Sequence, residues 1–263
     1  LAVEGVKRQK VNLNYTNIIT MKIWNLIALG EALDKPDVAD LGYKLLDDWM
    51  LFTYRNGICE YLSPTYYECD LENLGLIYHF AKREEGRTAA KAALDYIWTD
   101  IMANWYSPSM RLGGAHSRDY DRLTGHGGLE KYPMYAGFIP NSSGQDFRNS
   151  PFDYFSFVQP SAEIGKLADT IPRFVFQRWG DKPWQWAAQY VGKNFSVGSA
   201  GCNYWDMDKA PLLINIGSGE RTSQINFYMD GRGDCYGRKK IMEGSGHMKA
   251  LHLRPFITSV QND

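Results

Sequence analysis

The spacing of apolar residues changes once along the 263-residue chain, and this change constrains the fold more than any other feature. Up to about residue 105, apolar residues recur every three or four positions, which is the period of an amphipathic helix. After Trp184 they alternate with polar residues in short runs, which is the period of a strand. Helices followed by strands predict an α+β protein of two modules, which we place at residues 1–180 and 181–263.

Four helices are predicted in the first module, over residues 15–33, 37–54, 66–83 and 88–105. Their connections are short, so neighbouring helices should run antiparallel as two successive helical hairpins. Such hairpins are typical of a helical toroid or solenoid. The pattern also favours a last helix over residues 161–179.

The second module contains four predicted strands, over residues 210–217, 224–230, 247–253 and 256–261. We expect the switch from helical to alternating spacing between Trp179 and Phe195. A long loop, residues 106–160, precedes it. A stretch of this length is either functional or disordered, and its many aromatic residues favour order.

Charge and hydropathy exclude two classes of partner. The net charge is −1, from 29 Lys and Arg against 30 Asp and Glu. The sequence has no basic stripe of the kind that binds nucleic acid. It also has no apolar run that reaches the roughly 18 residues of a membrane span. The chain begins at Leu1 and not at Met, so we expect a processed product or a fragment.

Cysteines and sequons together favour a secreted glycoprotein. The four cysteines form an even set, and three Asn-x-Ser/Thr triplets begin at Asn14, Asn141 and Asn194. Buried thiols of a cytosolic protein are the alternative interpretation of the cysteines. Because three triplets accompany the cysteines, we predict an extracellular location with glycan at one or more of these asparagines.

Several segments resemble one protein group: NYTNI at residues 14–18, EYLSPTYYECDL at 60–71, GGAHSRDYD at 113–121, YMDGRGDCYGRKK at 228–240 and HMKALHLRPFITSVQ at 247–261. The group consists of extracellular proteins related to heparinase II/III and other polysaccharide lyases. The resemblance implies a partial (α/α) toroid followed by an antiparallel β-sandwich, here incomplete. It also implies an acidic polysaccharide as ligand and the remainder of the same toroid as a partner.

A lyase of this kind removes the proton next to a uronate carboxylate and expels the glycosidic oxygen from the adjacent carbon. The reaction needs a base, an acid and a group that neutralises the carboxylate. His116 could act as base or neutraliser, Arg118 could hold the carboxylate with its planar fork, and Tyr120 could act as acid. In an extended segment the three side chains share one face. The alternative is structural: a loop histidine, and ion pairs of Arg118 with Asp119 or Asp121.

The segment before the third predicted helix contains the candidate sugar-binding residues Glu60, Tyr66 and Tyr67, since aromatic faces stack on pyranose rings. Asn17 is a further candidate partner for a carboxylate or hydroxyl. In the alternative interpretation, Ser63 caps the helix, the tyrosines lie in the core, and Asn17 faces solvent or caps its helix.

Four cysteines allow three disulfide pairings. We predict Cys59–Cys69, which would attach the candidate loop to the third helix, and Cys202–Cys235 between strands. No cofactor is predicted. No metal site is predicted either, because strand alternation separates His252 from His247 and Lys249.

The leading hypothesis is a secreted polysaccharide lyase that cleaves a uronic-acid-containing glycan by β-elimination. A non-catalytic extracellular glycan-binding or structural protein of the same fold is the first alternative. A toroid glycoside hydrolase is the second. A hydrolase would need two carboxylates about 5–9.5 Å apart, and the available acids are Glu60, Asp70, Asp119 and Asp121.

Overall fold

The computed structural model of the protein describes residues 1–117, 128–140, 151–201, 209–217 and 223–227. Within these residues, helices come first and a five-stranded antiparallel sheet follows, which confirms the predicted α+β class. None of the helices in the described ranges is long and apolar enough to span a lipid bilayer.

The first 103 residues form five helices: α1 (Ala2–Arg8), α2 (Thr16–Ala32), α3 (Pro36–Asn56), α4 (Tyr66–Phe80) and α5 (Glu84–Ala103). The four predicted helices are observed as α2 to α5. Helix α2 packs on α3, α4 packs on α5, and α2 also packs on α4. Three-residue connections, 33–35 and 81–83, join the helices within each pair, as expected for helical hairpins.

Large apolar side chains fill the space between these helices. They lie on the buried stripes that the helical period predicts, and each is 1% exposed or less: Ile19, Ile23, Trp49, Leu74, Ile97 and Trp98. Burial of such side chains contributes about 1.5–3 kcal/mol each. The helical layer is therefore held together by a conventional hydrophobic core.

Short elements occupy the stretch predicted as a long aromatic loop. In its described parts these are β1 (Trp105–Tyr106), β2 (Arg111–Leu112), β3 (His116–Ser117), α6 (Lys131–Tyr135) and α7 (Pro151–Ser156). Strand β1 pairs with β2. Among the described aromatic residues here, Tyr132 is 1% exposed and its ring lies 5.8 Å from that of Tyr135, whereas Phe152 and Phe155 are each 59% exposed.

The predicted last helix over residues 161–179 is wrong. Only α8 (Ala162–Gly165) and a 3-10 turn at Lys166–Asp169 are helical, and β4 (Arg173–Arg178) begins the sheet. The switch to strands therefore lies before the predicted window of residues 179–195. Pro172 cannot donate a backbone hydrogen bond inside a helix, and the residues after it alternate with period two.

The sheet has the strand order β4-β5-β6-β8-β9, with every neighbouring pair antiparallel. Its remaining strands are β5 (Trp186–Val191), β6 (Phe195–Ala200), β8 (Leu212–Ile216) and β9 (Ser223–Phe227). The last two correspond to the predicted strands at 210–217 and 224–230, whereas β5 and β6 were not predicted. The predicted strands at 247–253 and 256–261 lie outside the described residues.

In a simple amphipathic sheet the buried face is apolar and the exposed face is polar. This sheet instead has polar side chains on its buried face and large apolar side chains on its exposed face. The face toward the helices contains buried polar side chains, which we call the polar inner face: Gln189, Ser196 and Asn215, each 1% exposed or less, with Gln177 beside them on β4. The other face, called the apolar outer face, has Phe174, Phe176, Trp186, Phe195, Ile216 and Ile225, all exposed by 37% or more.

The Arg173 side chain joins the sheet to the end of α5. Its guanidinium donates to the carbonyl oxygens of Ala103 at 2.6 Å, Ala168 at 3.0 Å and Thr170 at 3.1 Å, and also to that of Trp105. Burial lowers the pKa of this guanidinium to about 10. The first residue of the sheet is thus fixed to backbone that the helical layer provides.

Candidate functional site

The two segments predicted to border the site meet in the structure. Ser117 donates to the carbonyl oxygen of Tyr61 from both its backbone nitrogen and its hydroxyl, each at 3.1 Å. Tyr61 is in the connection between α3 and α4, and Ser117 directly follows the candidate catalytic residue His116. The histidine segment and the residue 60–67 segment are therefore neighbours, although 56 residues separate the bonded pair.

His116 is held on the short strand β3, which pairs with β7 (Lys209–Ala210) through His116↔Ala210. Its Nδ1 lies 3.2 Å from the carbonyl oxygen of Gly114, and its side chain is 1% exposed. A buried imidazole bonded to backbone has one preferred ring orientation. The other two candidate catalytic residues, Arg118 and Tyr120, lie outside the described residues, so the shared face of the three side chains stays a prediction.

The two glycines before His116 allow the segment to approach the sheet closely. A Cβ on Gly114 would overlap the carboxamide of Gln189, and a Cβ on Gly198 of β6 would overlap the backbone of Gly114 and Ala115. On the other side, Gly113 donates its N–H to the carbonyl oxygen of Asn104 at 2.7 Å. The glycines therefore serve close packing between the end of α5 and the sheet.

Two candidate binding residues, Asn17 and Glu60, form a buried contact beneath the site. The backbone N–H of Asn17 donates to Glu60 Oε2 at 2.8 Å. Since Asn17 lies in the first turn of α2, the carboxylate satisfies a donor that the helix leaves open and faces the positive end of its dipole. Asn17 and Glu60 are 3% and 5% exposed, so they support the fold at this position.

Asp70 lies next to this contact and has no exposed surface. Its Oδ1 accepts a hydrogen bond from the Thr20 hydroxyl at 2.8 Å. Burial, together with the nearby Glu60 carboxylate, raises the pKa of Asp70 well above its ordinary value. This favours the neutral form of Asp70.

The two candidate tyrosines have different environments. Tyr66 is half-buried, whereas Tyr67 has no exposed surface and donates its hydroxyl to Asp100 Oδ2 at 2.6 Å. Ser63 Oγ accepts the backbone N–H of Tyr66 at 3.0 Å, so it caps α4 as the alternative interpretation expected. Tyr67 therefore belongs to the core, and of the two only Tyr66 has surface available for a ligand.

Asp100 connects the core tyrosine to the sheet. Asn104 donates its amide both to Asp100 Oδ1 and to Gln177 Oε1 of β4, each at 3.1 Å. Burial raises the pKa of Asp100 from 3.8 to about 6, against the opposing effects of its hydrogen bonds to Tyr67 and Gln177. The carboxyl group therefore titrates in a range where most aspartates are ionised.

Sequence reasoning missed a charged cluster on α4. Lys131 Nζ lies 2.8 Å from Asp153 Oδ1 and 3.7 Å from Glu68 Oε2, and Tyr132 donates to Glu72 Oε1 at 3.0 Å. Glu68 and Glu72 are four residues apart and so share a helix face, which was the available signal. The cluster attaches α6 and α7 to α4.

An apolar cavity of about 570 Å³ lies apart from these residues, between α2, α4 and α7. Trp24, Leu76, Phe80, Phe152 and Phe155 contribute most of its wall, and Glu31 and Lys82 lie beside them. The cavity has no described group arranged for proton transfer at a sugar carbon. We therefore place the candidate chemistry at His116 and not in this cavity.

The structure corrects the predicted Cys59–Cys69 disulfide, because both residues are present as thiols. Cys69 is in α4, where the Asn73 amide lies 3.4 Å from its Sγ. Burial raises the pKa of the Cys69 thiol to about 12. The predicted Cys202–Cys235 pair lies outside the described residues.

Two of the three predicted glycosylation sites lie within the described residues. Asn14 and Asn194 are exposed on loops, and Asn141 lies outside the described residues. Across the described ranges, no group of three or more His, Cys, Asp or Glu side chains could hold a metal ion.

Comparison with known proteins gives one match. A family model described as a domain of unknown function (DUF8769) matches residues 2–146, which is more than half of the chain. The matched part contains α1 to α6 and the segment with His116. No curated protein and no solved structure matches the chain.

Proposed function

Because the chain belongs to this family of unknown function, its activity has to be inferred from its own residues, and we propose that it is a polysaccharide lyase. In the proposed reaction the C–H bond next to a uronate carboxylate breaks, its electron pair forms the new C=C bond, and the adjacent C–O bond breaks. The leaving oxygen then takes a proton. His116 accepts the first proton or neutralises the carboxylate, Arg118 holds the carboxylate, and Tyr120 protonates the leaving oxygen.

One observation carries the proposal: the pair of hydrogen bonds from Ser117 to Tyr61 joins the histidine segment to the segment with Tyr66. The segment that contains the buried His116 is thereby adjacent to the segment that contains the half-buried Tyr66. The three further backbone contacts of the histidine segment, to Asn104, β7 and the sheet, fix its position. Fixed groups favour catalysis because they need little reorganisation in the transition state.

A hydrolase is the second candidate, and the Glu60–Asp70 pair is the observation that raises it. Glycosidases use two carboxyl groups that flank the scissile bond. However, Asp70 has no exposed surface and accepts the Thr20 hydroxyl, while Glu60 accepts the N–H of Asn17. Each carboxyl group therefore contributes a hydrogen bond to the contact between α2 and the residues at and before α4.

The direct experiment is incubation of the protein with a panel of polyuronates while the absorbance of the unsaturated product is recorded. We expect absorbance to rise with at least one polyuronate and not with a neutral glucan. His116→Gln should abolish the rise, and Lys44→Gln on the exposed surface of α3 is the matched control. New reducing ends without this absorbance would establish hydrolysis instead, and binding without cleavage would establish the non-catalytic alternative.

We propose a secreted location on the exposure of Asn14 and Asn194, which leaves both side chains accessible to glycan transfer. The thiols of Cys59 and Cys69 remove one argument for secretion, so the asparagines now carry it. Intact-mass measurement of protein from its native source should show added hexose that disappears in Asn14→Gln combined with Asn194→Gln. An unmodified mass would contradict the proposal.

A further inference from the structure

A chain of polar side chains crosses the sheet and ends on the segment that contains His116. Ser196 of β6 donates its hydroxyl to the carbonyl oxygen of Gly113 at 2.5 Å. Asn215 of β8 donates its amide to Ser196 Oγ at 2.9 Å and approaches the same carbonyl at 3.3 Å. Gln224 of β9 donates to Asn215 Oδ1 at 3.2 Å.

The buried side chains of this series connect the position of the sheet to the orientation of the Gly113 carbonyl. Ser196 and Asn215 have no exposed surface, so their bonds do not exchange with solvent, and they are adjacent across the β6–β8 register. A carbonyl oxygen that accepts a buried hydroxyl and amide has a restricted orientation. Gly113 is the residue before Gly114, and the Gly114 carbonyl oxygen lies 3.2 Å from His116 Nδ1.

The opposite side of the same segment is also fixed. Gly113 donates to the Asn104 carbonyl oxygen, and the Gly114 backbone lies against Gly198 and the Gln189 carboxamide. These contacts hold the segment before His116 on the side opposite to Ser196 and Asn215. A shift of the Gly113 carbonyl therefore moves the peptide that the imidazole contacts.

We propose that Ser196, Asn215 and Gln224 are positioning residues for His116. The sheet then sets the orientation of the His116 imidazole on β3. This inference rests on the proposed function only for its effect on turnover. The structural effect on His116 does not depend on which reaction the protein catalyses, and the two can be measured separately.

The first measurement is the ¹H–¹³C NMR spectrum of histidine-labelled full-length protein. There are five histidines, and the His116 ring signal is assigned by its loss in His116→Gln. We expect Ser196→Ala and Asn215→Ala each to move the His116 signal by more than its linewidth. Gln224→Ala should move it less, because it removes only the outermost member and leaves the buried pair intact.

Two matched controls separate positioning from general loss of stability. Ser156→Ala removes a buried hydroxyl that also donates to a backbone carbonyl at 2.5 Å, but in α7. Asn73→Ala removes a buried amide within α4. At a comparable decrease in the midpoint of thermal unfolding, neither control should move the His116 signal.

The second measurement is turnover on the polyuronate identified for the wild-type protein. We expect Ser196→Ala and Asn215→Ala to lower kcat on the order of tenfold to a hundredfold with little change in KM, since misplacement of a reacting group has this effect. An unmoved His116 signal, or equal movement in the controls, overturns the inference. A moved signal in a protein that cleaves no polyuronate supports the positioning and overturns only the proposed function.

Discussion

The space between the helices and the space between the helices and the sheet are filled in different ways. The first contains side chains such as Ile23, Leu74 and Trp98, which are apolar and have almost no exposed surface. The second also contains apolar side chains such as Val191 and Leu213, but it adds Arg173 and the polar inner face, whose contacts are hydrogen bonds with defined partners. Apolar burial is nondirectional, whereas hydrogen bonds prescribe relative orientation. The comparison indicates that the core supplies stability and the interface supplies position.

The largest effect is expected in the helical core. Trp98→Ala removes a fully buried ring of α5 that packs edge-on against Phe138, with ring centroids 5.8 Å apart. The free energy of unfolding should fall by about 3–5 kcal/mol, because transfer energy is lost and a cavity remains. Urea denaturation measures the change, and Trp98→Phe should lose distinctly less. A loss below about 1 kcal/mol would contradict the assignment of Trp98 to the core.

The next effect is expected at the joint between the two layers. Arg173→Met keeps most of the side-chain volume but leaves carbonyl oxygens such as that of Ala103 without their donor. Each buried unsatisfied group costs about 1–3 kcal/mol, so a loss of about 3 kcal/mol is expected. Arg173→Lys should recover only part of it, since an ammonium lacks the planar fork.

Arg178→Met is the matched control for this joint. Arg178 ends the same strand, and within the described part of the chain its guanidinium donates to the carbonyl oxygen of Gly180 at 3.1 Å. Its loss should be distinctly smaller, as measured in the same denaturation series. Equal losses at the two positions would show that the Arg173 contacts do not join the layers.

A third effect concerns pH, through Asp100. The folded-state pKa is raised from 3.8 to about 6, so its contribution to stability is fully present below about pH 4. It is lost as the pH rises through 6, and the shift corresponds to about 3 kcal/mol at most. Asp100→Asn should therefore flatten the stability profile between pH 4 and 7. An unchanged profile in Asp100→Asn would refute the assignment.

The smallest effect is expected on the apolar outer face. Phe176 is 61% exposed and lies parallel to Trp186, with ring centroids 4.9 Å apart. Phe176→Ser should change the free energy of unfolding by about 0.5 kcal/mol or less, as surface substitutions do. A loss above about 2 kcal/mol would mean that this face is buried in solution and would end the contrast between the two faces.

Sequence reasoning succeeded where a local period decides the structure. Helices α2 to α5 have long apolar stripes, and β8 and β9 have clear alternation, so both kinds of element were predicted. It failed between Ser161 and Trp179, where a short helical pattern suggested one long helix. Pro172 was the local signal against that helix, because it has no N–H to donate.

The site was less predictable than the fold. Alternation identifies two faces of a strand but not which one packs on the helices, and an apolar face would ordinarily be assigned to the core. Here Ser196 and Asn215 point inward instead. The bond between Ser117 and Tyr61 joins residues 56 positions apart, a contact that no local pattern contains. The motif resemblance assigned both segments to the candidate site, but it did not predict that they are in contact.

The polar chain on Gly113 also bears on how the chain can be divided. The family match ends at residue 146, yet the residues that orient the Gly113 carbonyl lie at positions 196 and 215. A recombinant fragment that stops at residue 146 would contain His116 without the side chains that fix its neighbouring peptide. The segment that the family model matches is therefore shorter than the segment that would have to be expressed or transplanted to keep His116 together with the side chains bonded to Gly113.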